Sequence, residues 1–171
     1  MAALIGVVAM MVQPGLPGAA GALFGWQLLA LVALDVEHYW LPDRLTALLA
    51  ASGLVFGGLV FGLTGIGLDI QTRLIGGIAG FATLLAIAWA YRLVRGRDGM
   101  GGGDPKLLGA IGCWMGWQAL PYVLIGASML GLLIAFGMMA RGRNVGATTR
   151  LPLGALMAVA AFPLWLLLSQ G

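Results

Sequence analysis

The sequence predicts an all-α fold: a polytopic transmembrane bundle of about six to seven helices, forming one domain over residues 1–171. Three observations carry that prediction. Hydrophobic residues make up 61% of the chain and charged residues 9%, whereas a soluble domain carries roughly 25% charged residues. Uncharged runs recur near the roughly 20-residue length that a bilayer demands. The charges fall between these runs, and the basic ones gather on alternate loops, as membrane orientation requires.

No charge occurs in residues 1–34, but Pro14-Gly15-Leu16-Pro17-Gly18 divides the run. A short first helix over about 1–12 is expected, then a second over about 20–35; the first is too short to span comfortably. Residues 45–63 make a third helix. Residues 74–91 make a fourth, which starts as early as Asp69. Residues 107–140 are uncharged and too long for one helix, so a turn over 118–121 splits them into a fifth and a sixth. Residues 151–170 make the seventh.

Arg44 lies between helices two and three, and Arg92, Arg95, Arg97 and Lys106 between four and five. Arg141, Arg143 and Arg150 lie between six and seven. Eight of the nine basic residues therefore share one side, which is expected to be cytoplasmic, and Arg73 stands alone on the other. The formal charge of +3 is an orientation signal; a lipid bilayer is the expected partner, and no nucleic acid is. Six Trp and three Tyr suit the interfaces. Cys113 is the sole cysteine, which excludes an intrachain disulfide and a cysteine-rich zinc site. It reads as a small packing residue. The apolar N-terminus lacks a basic segment and does not read as a signal peptide. Four glycine pairs at four-residue spacing, Gly53/Gly57, Gly58/Gly62, Gly76/Gly80 and Gly112/Gly116, would let helices approach closely. Packing within the chain is their expected use, and the oligomeric state stays open.

Only six acidic residues occur: Asp35, Glu37, Asp43, Asp69, Asp98 and Asp104. An ionisable group near membrane depth is costly and counts as a functional candidate. Asp35 ends helix two, where a negative charge is mildly unfavourable. That leaves a structural ion pair with an arginine, or chemistry. Pro42 suits a helix start, so Asp43 is expected to cap or charge-balance helix three. Glu37 reads as a solvated loop residue. His38 would tune acidity or contact substrate; with no second histidine it is a poor metal ligand, and no metal or cofactor is expected. Asp104 follows four glycines within five residues, Gly99, Gly101, Gly102 and Gly103, which permit close backbone approach. With Pro105 after it, Asp104 is expected to be the N-cap of helix five. A helix N-terminus favours an ionised carboxylate, which points to the lower pKa of a pair for Asp104. Lys106 would anchor the cytoplasmic side or hold headgroups or substrate. The run is not a phosphate-binding loop, which needs Gly-Lys-Ser/Thr.

Gly101-Gly102-Gly103-Asp104, followed by Lys106 and an apolar helix, is a Gly-x-Gly-Asp motif. Asp35, followed by Pro42-Asp43 and Leu45-Thr46, is its partner segment. Together they resemble the type IV prepilin peptidases, aspartic proteases of the Gly-x-Gly-Asp class. The similarity runs through residues 106–117 to Leu151-Pro152-Leu153-Gly154, where the family often has Pro-Phe-Gly-Pro. The resemblance implies a Gly-x-Gly-Asp-protease-like bundle in a bacterial cytoplasmic (inner) membrane, with Asp35 and Asp104 as the catalytic pair at its cytoplasmic face. Gly101, Gly103, Lys106, Glu37, His38 and Asp43 are candidate supporting or substrate-binding residues. Implied substrates are prepilins of type IV pili or pseudopilins of type II secretion, with a short basic leader cut after a glycine ahead of a long apolar helix. Pro105 stands where the family usually has an aromatic or small residue. Relatives often carry a Cys-x-x-Cys region with methyltransferase activity; without such motifs here, the expectation is cleavage and not methylation. The chain is then a natural short form or a piece of a longer one. Close carboxylates separate their pKa values, and the sequence does not decide which one starts charged. Three rivals carry other expectations. A small ion-coupled transporter expects acids at mid-membrane and an inverted repeat. A non-enzymatic secretion scaffold expects both aspartates to tolerate alanine. A presenilin-like protease expects a tyrosine before the first aspartate, where Leu34 stands.

Overall fold

A computed structural model describes residues 2–38, 41–65, 68–96, 101–142 and 152–168. It contains seven α-helices: α1 (Ala2–Val12), α2 (Leu16–His38), α3 (Asp43–Thr64), α4 (Ile70–Arg95), α5 (Asp104–Met115), α6 (Leu120–Ala140) and α7 (Leu153–Leu168). A 3-10 turn, Trp117–Ala119, joins α5 to α6 at the expected split. Helices α2, α3, α4 and α6 are long and apolar enough to cross a membrane. Large apolar side chains cover their outer faces: Ile78 is 71% exposed, Leu133 66% and Trp89 65%. In water such a surface would be a liability; facing lipid it is ordinary.

Both ends of α2 and the C-terminal end of α4 differ from expectation; α4 runs on to Arg95, so Arg92 and Arg95 are helical, not loop residues. Helix α2 begins at Leu16, not near residue 20, because a proline in the first turn sacrifices no helical hydrogen bond and Pro17 occupies that turn. At its other end α2 runs on to His38, so Glu37 and His38 are helical, not loop residues. The early start of α4 holds: Asp69 is its N-cap, accepting a bond from Thr72 N–H at 3.3 Å. Arg97, Asp98, Arg143 and Arg150 lie outside the described residues.

Helix α5 is the core of the bundle. All its residues except Lys106 are buried, against α3, α4 and α7. Glycine makes its contact with α4 possible. A Cβ on Gly76 would collide with Gly112 O, one on Gly112 with Gly76 O, and one on Gly80 would sit 2.7 Å from Leu108 O. The spacing of Gly53 and Gly57 serves side chains instead, making room for Trp114 and Arg73, while Gly62 faces open space. Trp114 stacks on Phe24 of α2 at 4.8 Å and donates its indole N–H to Leu49 O of α3 at 2.8 Å. One ring thus ties α2, α3 and α5 together. At 12 residues, α5 is about 18 Å long, too short to cross a bilayer. It ends inside the bundle, and its first residue stands at the bundle's mouth.

Candidate active site

Three helix ends meet at that mouth: the last turn of α2, the first residue of α5 and the start of α7. Asp35 comes from α2 and is 5% exposed; Asp104 opens α5 and is 7% exposed. Gly154 of α7 locates them relative to each other. A Cβ built there would lie 2.9 Å from Asp35 Oδ2 and 3.3 Å from Asp104 Oδ1. The two distances cap the separation of these oxygens at about 6 Å. Residues 69 positions apart in the chain are therefore brought to one point.

Backbone N–H groups hold the pair. Ala155 N–H donates to Asp35 Oδ2 at 2.7 Å. This is one of the donors that a helix leaves unpaired in its first turn, so the positive end of α7 faces a carboxylate. No arginine takes that place among the described residues. Gly101 N–H donates to Asp104 Oδ2 at 3.2 Å, and Asp104 N–H returns a bond to Gly101 O at 3.2 Å. The glycine turn thus closes on the carboxylate it precedes. Gly154 N–H also faces Asp104. Leu41 packs beneath: a Cβ on Gly103 would come 2.7 Å from Leu41 Cβ, and one on Gly154 2.8 Å from Leu41 Cδ1.

Asp104 is not the N-cap of α5. Gly103 takes that position, and Asp104 is the first helical residue, with no capping bond from its side chain. The reason is the glycine turn, which consumes the carboxylate locally. The electrostatic direction is likewise the reverse of expectation. Asp104 stands outside the four long spans, and burial pushes its carboxyl up to about 6, with the charge of Asp35 adding to the rise. The Gly101 and Gly154 N–H groups pull the other way and lose. A helix N-terminus is worth about 1 kcal/mol or less, which burial beside a like charge exceeds.

The supporting candidates divide. Gly101 and Gly103 shape the Asp104 turn. Asp43 and Lys106 pair with each other, Nζ to Oδ1 at 2.6 Å, both exposed, linking α3 to α5. Asp43 is the first residue of α3, and Thr46 Oγ1 donates to its carbonyl at 3.0 Å. Glu37 and His38 face each other at 3.9 Å, both well exposed. The structure gives them no bond to either central aspartate. Among the described residues, no three His, Cys, Asp or Glu side chains converge as metal ligands. Sequence reasoning missed the supporting N–H of Ala155 and the space held open by Gly154. Leu151-Pro152-Leu153-Gly154 was the available signal, since a proline followed by a glycine at a helix start marks backbone brought close to something.

The model of the type IV leader peptidase family matches residues 22–136, a span that contains Asp35 and Asp104. The prepilin leader peptidase/N-methyltransferase of Aeromonas salmonicida is 39% identical over 165 residues, covering 96% of this chain and 54% of that protein. The protein of the same description from Aeromonas hydrophila is 39% identical over 172 residues, covering 100% of this chain and 56% of its own length. That from Pseudomonas aeruginosa is 36% identical over 154 residues, covering 89% and 50%. The chain thus spans about half the length of the curated relatives it matches. No solved structure gives a significant match.

Proposed function

Since the chain belongs to the type IV leader peptidase family, we propose that it is a membrane-embedded aspartic endopeptidase, with Asp35 and Asp104 as its catalytic pair. One observation carries this reading: both carboxylates converge on Gly154 at the mouth of the bundle. Like charges this close do not both ionise cheaply, and one proton shared between two carboxylates is what amide hydrolysis requires.

These bonds favour one division of roles. Asp35, held by Ala155 N–H at the positive end of α7, is the proposed general base. Asp104, which burial makes hold its proton to higher pH than a solvated aspartate does, is the proposed proton donor. Asp35 takes a proton from a water, and the water oxygen attacks the peptide carbonyl carbon. Asp104 donates a hydrogen bond to the carbonyl oxygen as charge develops there, then gives its proton to the leaving amine as the C–N bond breaks. The products are a carboxylic acid and an amine. No side chain is acylated, and the glycines around the pair, besides holding Asp104, would admit an extended backbone.

The proposed substrates are prepilins or pseudopilins, cut between a short basic leader and a long apolar helix. The proposed setting is the cytoplasmic face of a bacterial inner membrane, where eight of the nine basic residues would lie. An ion-coupled transporter would place its acids at mid-bundle, whereas this pair sits at helix ends. The test is cleavage of a purified prepilin by the chain and by Asp35→Asn and Asp104→Asn. The wild type is expected to release the leader and neither variant to do so. Normal turnover by either variant overturns its assignment.

A further inference from the structure

Arg73, which the charge pattern of the sequence sets apart from the other basic residues, is not an interfacial anchor. It is 7% exposed and inserts between α3 and the C-terminal end of α5. Its Nε donates to Leu68 O at 3.1 Å. Its Nη1 lies within bonding distance of Gly53 O at 3.3 Å, Cys113 O at 3.2 Å and Trp114 O at 2.8 Å. Gly57 makes the space, since a Cβ there would collide with the guanidinium. These carbonyls are neutral partners, and two of them belong to the negative end of α5. Among the described residues, no carboxylate lies within ion-pair distance of Arg73. Asp69, four residues earlier at the N-cap of α4, acts on it only through space, and a buried cation without a close counter-charge is expensive.

The guanidinium also borders a cavity of about 590 Å³. Its walls are mainly apolar, with Pro17, Val60, Leu68 and Trp165 among them, and Gln118 and Tyr122 add polar groups. A cationic floor under apolar walls matches a ligand with an anionic head and a hydrocarbon body. Guanidinium bonds phosphate oxygens in a fixed, planar geometry. We propose that this cavity binds an anionic phospholipid, with its phosphate on Arg73 and acyl carbon along Val60, Leu68 and Trp165. The site is distinct from the aspartates. It lies at the other end of α5, about 15 Å along the helix axis, and does not depend on the peptidase reading.

The test uses the full chain in neutral detergent, titrated with phosphatidylglycerol, with phosphatidylcholine of the same acyl chains, or with inorganic phosphate alone. Retained lipid is read by native mass spectrometry and binding by the unfolding midpoint, which a ligand of the folded state raises. One phosphatidylglycerol is expected to be retained, at least about tenfold more tightly than phosphatidylcholine, and Arg73→Gln is expected to abolish that preference. Val60→Trp fills the cavity while leaving the guanidinium and its carbonyl partners in place. It is expected to lose the lipid too, and it keeps the test decisive where Arg73→Gln does not fold. Equal retention of the two lipids overturns the proposal. So does phosphatidylglycerol retention untouched by Val60→Trp, or equal protection by inorganic phosphate alone.

Discussion

The two ends of α5 solve one problem in opposite ways. At each end a buried ionisable group meets the helix pole of complementary sign: Asp104 at the N-terminus, Arg73 against the carbonyls of Cys113 and Trp114 at the C-terminus. The Arg73 end is locally satisfied, with bonds from both Nε and Nη1 to backbone oxygens. At the Asp104 end a second carboxylate, Asp35, is forced into the same pocket. The favourable helix pole is overridden there, and a proton is held that a solvated aspartate would release. A fold gains nothing in stability from such a pair. Two close carboxylates kept in place by α7 backbone are what mark the proposed site off from a structural buried charge.

Substitutions at the frustrated end are expected to have the largest effect. Asp35→Asn and Asp104→Asn should each lower prepilin cleavage by about 10³-fold or more, as loss of a catalytic acid or base does, with the helical circular-dichroism signal unchanged. Gly154→Val comes next. Its side chain would enter the space between the two carboxylates, and a misplacement of about 1 Å costs on the order of 10²-fold. Cleavage at near wild-type rate by this variant would mean that α7 does not frame the site.

At the satisfied end the cost should appear in stability. Arg73→Gln leaves carbonyls of α3 and α5 without their donor, an expected loss of about 2–4 kcal/mol, read as a lower unfolding midpoint in detergent.

The raised Asp104 pKa gives a smaller effect of opposite sign. Its folded value, about 6, lies above the value of 3.8 for a solvated aspartate. The folded state therefore holds the proton more tightly than the unfolded one. The contribution of this group to stability is greatest below pH 4, falls by on the order of 2–3 kcal/mol between pH 4 and pH 6, and is flat above. Asp104→Asn removes that slope, so the inactive variant should unfold at a higher temperature than wild type at pH 7. A lower midpoint would mean that the ionised carboxylate is welcome where it sits. The smallest effect is expected at the exposed Asp43–Lys106 pair. Asp43→Asn should change cleavage by less than about threefold, since such pairs contribute about 0–1 kcal/mol.

Much of the fold was legible because charge is costly in lipid, so uncharged runs marked α3 and the middle of α4 directly and, once split at 118–121, α5 and α6. Boundaries failed where a local exception applied. Pro17 looked like a breaker but sits in a first turn, and α2 runs on through Glu37 and His38. Asp35 and Asp104 stood out as acids bordering apolar runs, and the Gly-x-Gly-Asp pattern joined them. Their support was legible only as a proline and a glycine opening the last helix; the donors are backbone N–H groups of Gly154 and Ala155, whose partners no side-chain pattern names. Sequence also favoured an ionised Asp104, since it reveals the helix end but not the burial. Arg73 looked like an exception to the charge rule; only the contact with Gly57 and the carbonyls of α5 explains it.

The central claim is that Asp35 and Asp104 act electrostatically as one pair. Titration of the Asp104 carboxyl carbon by NMR, in wild type and in Asp35→Asn, tests it most directly. The account predicts a pKa near 6 in wild type and a clearly lower one once the Asp35 charge is gone. An unchanged titration in the variant would mean that the two carboxylates do not sense each other, and the shared-proton mechanism would not stand.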